Sequence, residues 1–137
     1  MTATLPLTIE DYQRQITKDE IAELPLRKYV GPIHVINSNE KMDMALDLLQ
    51  NQTVLGFDTE TKPSFKKGVK HPPALLQLAL DECVLIFQLA HMPFPEEVAR
   101  FLADPKIIKT GVAVDDDVRD LRRLHEFAPG GFMDLAK

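Results

Sequence analysis

The sequence has little of what staples or anchors a chain. One cysteine, Cys83, in 137 residues excludes an internal disulfide framework and any cysteine-based zinc site; its apolar surroundings mark it as a small buried hydrophobe. No apolar run approaches the roughly 20 residues that cross a bilayer. The N-terminus lacks the basic start, apolar stretch and small-residue cleavage site of a secretory leader, so the expectation is a soluble, cytoplasmic protein with no membrane partner. Internal repeats, low-complexity tracts and linkers are missing as well. The four histidines, His34, His71, His91 and His125, share no metal-ligand spacing: His34 and His125 read as structural residues, and His71 belongs with a basic patch described below.

What is present is a core. With 45% hydrophobic residues over 137 positions the chain can fill one globular domain and is short for two. The net charge of −5 and pI near 5.3 argue against a protein that coats nucleic acid nonspecifically. The distribution says more than the sum. Residues 62–71 hold Lys62, Lys66, Lys67 and Lys70 and no acid, so this stretch carries +4 and leaves −9 for the remainder. It directly follows two acids, Asp58 and Glu60.

Along the chain, Thr17-Lys18-Asp19-Glu20 has the spacing of a capping box, with Ile21 and Leu24 as an apolar side and Pro25 as a stop; residues 1–30 read as a helical preamble. Ile33–Ile36 alternates as a short strand. Ser38 or Asn39 then caps a helix with Met42, Ala45, Leu46 and Leu49 on one face. Three strand-like runs follow without a helix between them, over residues 53–60, 74–80 and 83–89; the last two are joined by Asp81-Glu82, which implies an antiparallel hairpin. Pro95 suits a first helical position and Pro105 follows that helix. Residues 107–114 read as a buried strand, 115 to about 127 as a helix, and Phe132-Met133-Asp134-Leu135-Ala136 begins a further element after the turn at Pro129-Gly130-Gly131. The fold class expected is α/β, with a mixed sheet flanked by helices.

Residues two apart on a strand point to the same face, roughly 6.5 to 7 Å apart. Asp58 and Glu60 therefore project together, and Phe57 and Thr59 face the other way. Two carboxylates that close resist ionising together unless a cation separates them, and a hard divalent ion such as Mg²⁺ or Mn²⁺ is the usual resolution. The pair alone is equally consistent with a strand emerging into solvent. A second run, Asp115-Asp116-Asp117, opens the last helix. At about 100° per residue, Val114, Val118, Leu121, Leu124 and His125 form one stripe, and Asp117 falls within its edge. Asp116 lies opposite with Arg119 and Arg123, and Asp115 stands at the boundary as the expected helix cap. An acid on the buried side of a helix start needs a partner, and a metal held by the neighbouring strand would be one.

At these residues the sequence resembles the DEDD 3′–5′ exonucleases of ribonuclease H-like fold, in particular the branch of ribonuclease D and the Werner-syndrome exonuclease domain. Gly56-Phe57-Asp58-Thr59-Glu60-Thr61, followed by the basic loop and the apolar run from Pro73, is similar to the first exonuclease motif. Lys109–Leu121 is similar to the second, with Asp117 at its metal-binding acid. The resemblance covers about residues 30–137. It implies a ribonuclease H-like mixed sheet and a 3′–5′ exonuclease domain over residues 31–137, acting on a nucleic-acid 3′ end, DNA or RNA. It also implies two Mg²⁺ or Mn²⁺ ions about 3.5 to 4 Å apart: Asp58 would ligate both, Glu60 would ligate one and orient the attacking water, and Asp117 would hold the second. The basic loop would meet substrate phosphates through Thr61, Lys66, Lys67 and Lys70, with Phe65 placed to stack on a base. The family's third motif has a Tyr or His four residues before an acid. Here Asp134 is preceded at that distance by Gly130, so the fold is expected to be C-terminally incomplete, the N-terminal portion of such a domain.

Two other readings compete. A phosphatase of the haloacid dehalogenase type would use Asp58 as nucleophile, but it calls for strand–helix alternation where two consecutive strands follow. A ribonuclease H-like module that binds nucleic acid without cutting it has no need of three converging acids.

Overall fold

The structure is a computed structural model that describes residues 8–137, the side chains of Tyr12 and Gln13 aside; residues 1–7 of the expected preamble lie outside the described residues. The chain divides into two units, residues 1–30 and 31–137. In the first, α1 (Ile9–Gln13) and α2 (Lys18–Glu23) each begin with a capping box, Thr8 with Asp11 and Thr17 with Glu20. The reciprocal bonds satisfy two of the N–H groups that every helix start leaves orphaned. Glu20 also accepts from Arg14 at 2.5 Å. Hydrogen bonds from the Thr17 backbone, then from Arg14, hold its carboxyl down at about 2.

The second unit is one six-stranded mixed sheet with three helices. In chain order it runs β1 (Ile33–Ile36), α3 (Asn39–Leu49), β2 (Val54–Thr61), β3 (Pro73–Ala79), β4 (Val84–Gln88), α4 (Glu96–Ala103), β5 (Ile108–Gly111), α5 (Val114–Leu124) and β6 (Phe132–Asp134). The strand order is β1-β4-β3-β2-β5-β6. Strands β2, β3 and β4 form an antiparallel meander, while β1 on β4, β5 on β2 and β6 on β5 are parallel. The parallel steps are those that a helix spans, as a parallel connection requires.

Strand parity decides which side the helices cover. Leu55, Phe57 and Thr59 of β2 share a face with Leu76 and Leu78 of β3, Leu85 and Phe87 of β4 and Ile36 of β1, all buried. Met42, Ala45 and Leu49 of α3, Val98, Ala99 and Leu102 of α4, and Val114, Val118 and Leu121 of α5 join them in one core. The opposite face carries Ile33, Val54 and Met133, each about half exposed, and it also carries Asp58 and Glu60.

The structure shifts several expected boundaries by a residue or two, and the larger departures fall around α4, β5 and α5. Pro95 is the N-cap of α4 and not its first residue. Strand β5 ends at Gly111, not at 114, because residues 111–113 turn away: Val112 is exposed and Ala113 adopts φ 55°, ψ 45° as the N-cap of α5. Helix α5 therefore starts one residue early, at Val114, and it stops at Leu124, where His125 becomes extended. His125 stacks on Phe94 at 5.4 Å and its Nε2 lies 2.9 Å from Glu96, a structural role. No helix among the described residues is long and apolar enough to cross a membrane.

Candidate active site

Asp58 and Glu60 stand on one face at the C-terminal end of β2, paired across β3 with Gln77 and Leu75, and both are exposed. The register slips between Glu60 and Thr61. Such a bulge bends and twists a strand, and proteins use it to re-aim side chains beside a site. Here the extra residue is Ala74 of β3, opposite the Glu60–Thr61 step, and β2 ends one residue after the second acid, at Thr61, before the chain enters the basic loop. Ligand sites in open α/β sheets gather outside such carboxyl ends.

Thr59 sits between the two acids in sequence and on the other side of the sheet in space. It is 9% exposed, and its hydroxyl donates a 2.6 Å hydrogen bond to Oδ1 of Asp117. This bond joins β2 to the first turn of α5, whose buried stripe of Val114, Val118 and Leu121 fixes the helix against the sheet. A carboxylate is favoured near a helix N-terminus, where unpaired N–H groups concentrate positive charge. Burial nonetheless pushes the Asp117 carboxyl above its ordinary value; the Thr59 bond opposes this, and the charges of Asp58, Asp120 and Asp116 add to it. Asp58 thus lies within electrostatic reach of Asp117 although the two approach from opposite sides of the strand.

The structure brings the three acids to one strand end without gathering them around one point. Among the described residues no three His, Cys, Asp or Glu side chains are placed to share a metal ion. The donor set nonetheless suits a hard cation, since it consists of carboxylate oxygens alone, two of them exposed and the third resisting ionisation beside another negative charge.

Asp115 does not cap α5. It is exposed and ion-paired with Lys137. The carboxylate that serves the helix start comes from β6: Oδ1 of Asp134 accepts from the N–H of Ala113 at 3.0 Å and of Ala136 at 2.9 Å. These backbone bonds, that from Ala136 foremost, lower its pKa. Sequence periodicity could not reveal this, because Ala113 and Asp134 are 21 positions apart. Thr59 was open to prediction: strand parity puts it on the helix-covered side, and helical phase puts Asp117 at the edge of the stripe that covers it.

The segment after β2 is exposed from Lys62 to Lys70. It turns at Lys66–Val69, closed by a 3.3 Å bond from Val69 N–H to the Lys66 carbonyl, with Gly68 at φ 79° where a side chain would be strained. Lys66 and Lys67 occupy the turn. Phe65 beside them is 96% exposed, its ring covered by nothing. Thr61 and Lys70 lie at the base of the loop and line an open cavity that faces α5.

Residues 33–137 match the 3′–5′ exonuclease family. Among individual proteins, the chain is 30% identical over 115 residues to the exonuclease mut-7 homolog of Homo sapiens, covering 76% of this chain and 13% of that protein. It is 28% identical over 131 residues to the bifunctional 3′–5′ exonuclease/ATP-dependent helicase WRN of Mus musculus, covering 90% and 9%. The chain therefore spans a small fraction of the length of these relatives. Among solved structures, the EXD2 exonuclease domain superposes with a TM-score of 0.68 at 24% identity, covering 77% of this chain and 58% of that one. A Trypanosoma brucei RNase D in complex with RNA also gives 0.68 at 24% identity, covering 77% and 38%. The mixed sheet with its flanking helices is the ribonuclease H-like arrangement of these exonucleases.

Proposed function

Because the chain belongs to the 3′–5′ exonuclease family, we propose that it serves metal-dependent hydrolysis of the terminal phosphodiester at a nucleic-acid 3′ end, with Asp58, Glu60 and Asp117 as the catalytic, metal-holding acids. The observation that carries this reading is the strand end itself: two exposed carboxylates on one face of β2, with a third on α5 whose proton affinity is raised by burial and by Asp58. Mg²⁺ or Mn²⁺ bound there supplies Lewis-acid stabilisation of charge and a nucleophile at neutral pH. The remaining work falls to the chain. Asp58 and Glu60 would hold the metal from the exposed face, and Glu60 would orient the attacking water. Asp117, which accepts from the Thr59 hydroxyl, would join them from the helix side. Thr61, Lys66, Lys67 and Lys70 hold the phosphates beside the acids, and Phe65 offers a free aromatic face to a base.

Mn²⁺ titration followed by calorimetry, or by the electron spin resonance signal of the free ion, tests the assignment. Asp58→Ala abolishes binding if the reading is right; unchanged affinity overturns it. One observation favours a second reading, nucleic-acid binding without hydrolysis: Asp117 is engaged by Thr59 and the three acids do not share a point. That reading requires oligonucleotide affinity that is indifferent to Mn²⁺. A phosphatase of the haloacid dehalogenase type is disfavoured by the direct antiparallel step from β2 to β3.

A further inference from the structure

We infer that the cleft between the segment at residues 61–73 and the outer face of α5 is the channel for the phosphate backbone of a single nucleic-acid strand, with Arg119 and Arg123 of α5 as its second phosphate-binding wall. The inference rests on the exonuclease reading above and extends it to side chains on a different element. The cavity there is about 560 Å³ and open to solvent. Lys62 and Lys70 come from the loop side and Arg119 and Arg123 from the helix side, with Asp120 between the arginines and Asp116 one turn before them. Four cations against two carboxylates make this a positive groove on a chain whose net charge is −5.

Its position gives the groove a direction. One wall begins at Thr61, the residue after Glu60, and the other at Asp116, the residue before Asp117. None of the three acids lines the cleft itself; its walls start one residue from Glu60 and one residue from Asp117, so a strand lying between them passes beside the acids at that end, where a 3′ terminus would be cut. Continuity along two independent elements distinguishes this cleft from a loop that happens to be rich in lysine.

The arginines are held in a form that a phosphate can take over. Arg119 lies 2.9 Å from Asp116 and 3.5 Å from Asp120, and Arg123 lies 3.5 Å from Asp120; their side chains are 52% and 67% exposed. Ion pairs as exposed as these contribute little, so they orient the guanidinium groups along one helix face without committing them. A guanidinium presents a planar fork that matches phosphate in a bidentate manner. Asp120 then acts as a brake, competing with phosphate for both arginines.

The test is fluorescence anisotropy of a 5′-labelled single-stranded oligonucleotide with the 137-residue chain, in EDTA, at a series of salt concentrations. Arg119→Ala/Arg123→Ala is expected to weaken binding on the order of tenfold and to flatten the slope of log affinity against log salt by about 1.4, at about 0.7 for each single-strand phosphate that the variant no longer neutralises. Asp120→Asn is expected to tighten binding several-fold, a gain that misfolding cannot produce. Unchanged affinity and slope in the double-arginine variant, with wild-type binding intact, overturn the channel and leave the exonuclease reading standing. Failure of the wild-type chain to bind any oligonucleotide in EDTA overturns the channel as well, while the exonuclease reading is decided by the Mn²⁺ titration of Asp58→Ala.

Discussion

Lys109 is the residue whose behaviour the fold dictates most directly. Its parity on β5 is that of Leu55, its partner on β2, so the side chain enters the core and is fully buried. There Nζ donates to the carbonyls of Phe101 at 3.2 Å and Asp104 at 2.9 Å, the end of α4 where helix carbonyls lack partners. It also lies 5.9 Å and 5.2 Å from the ring centres of Phe101 and Phe132. Desolvation outweighs this help, and of the nearby charges Asp104 offsets it in part, so the pKa falls from 10.5 to about 8. Relative to the neutral amine, the ammonium is therefore about 3 kcal/mol less favourable inside the fold than in the unfolded chain. Between about pH 8 and 10.5 the unfolded chain binds the extra proton, so stability rises with pH across that window.

Lys109→Met removes the titration while keeping an unbranched chain of similar bulk. At neutral pH it relieves a buried charge but strips two carbonyls of their donor, a loss of about 1–3 kcal/mol for each such group, and the two effects oppose. The pH dependence is cleaner, because every other titrating group cancels in the comparison. Urea denaturation followed by circular dichroism from about pH 7 to 10.5 should show wild type gaining about 3 kcal/mol on Lys109→Met between about pH 8 and 10.5. A difference that stays flat across the window refutes the reasoning.

Gly111→Ala places a methyl group 2.4 Å from the Phe57 carbonyl oxygen and 3.0 Å from a Val114 methyl. Strands β5 and β2 must part next to Asp58, so a destabilisation of about 1–3 kcal/mol is expected; an unchanged urea midpoint would show that this approach has slack. Asp134→Ala removes the acceptor for the Ala113 and Ala136 N–H groups and lowers the melting temperature at neutral pH. Because its folded pKa lies below 3.8, the stabilisation is present above the ordinary carboxylate range and disappears as pH falls through the folded value. Melting curves of wild type and variant should converge in acid, and a constant gap between them would rule out a charge-dependent cap.

Much of this was legible in the sequence because the signals are local. Alternation located β1 to β4, Ser38 and Thr17 announced their helices, and the two-residue joint at Asp81-Glu82 fixed the hairpin of β3 and β4. The spacing of Asp58 and Glu60 put them on one face, and the phase of α5 put Asp117 at the margin of its buried stripe. What the sequence could not supply are the relations between elements. Periodicity does not say that Asp134 reaches back to the start of α5, or that Lys109 finds two carbonyls waiting at the end of α4. Each depends on strand order, which hydrophobic pattern leaves open. Nor could composition show that Arg119 and Arg123 face Lys62 and Lys70 across a cleft, since the two groups are far apart in the chain and meet only when α5 docks beside the end of β2. Side-chain period is a property of one element. Convergence at a site is a property of how elements pack, and packing is decided by burying apolar faces that lie far apart in the chain.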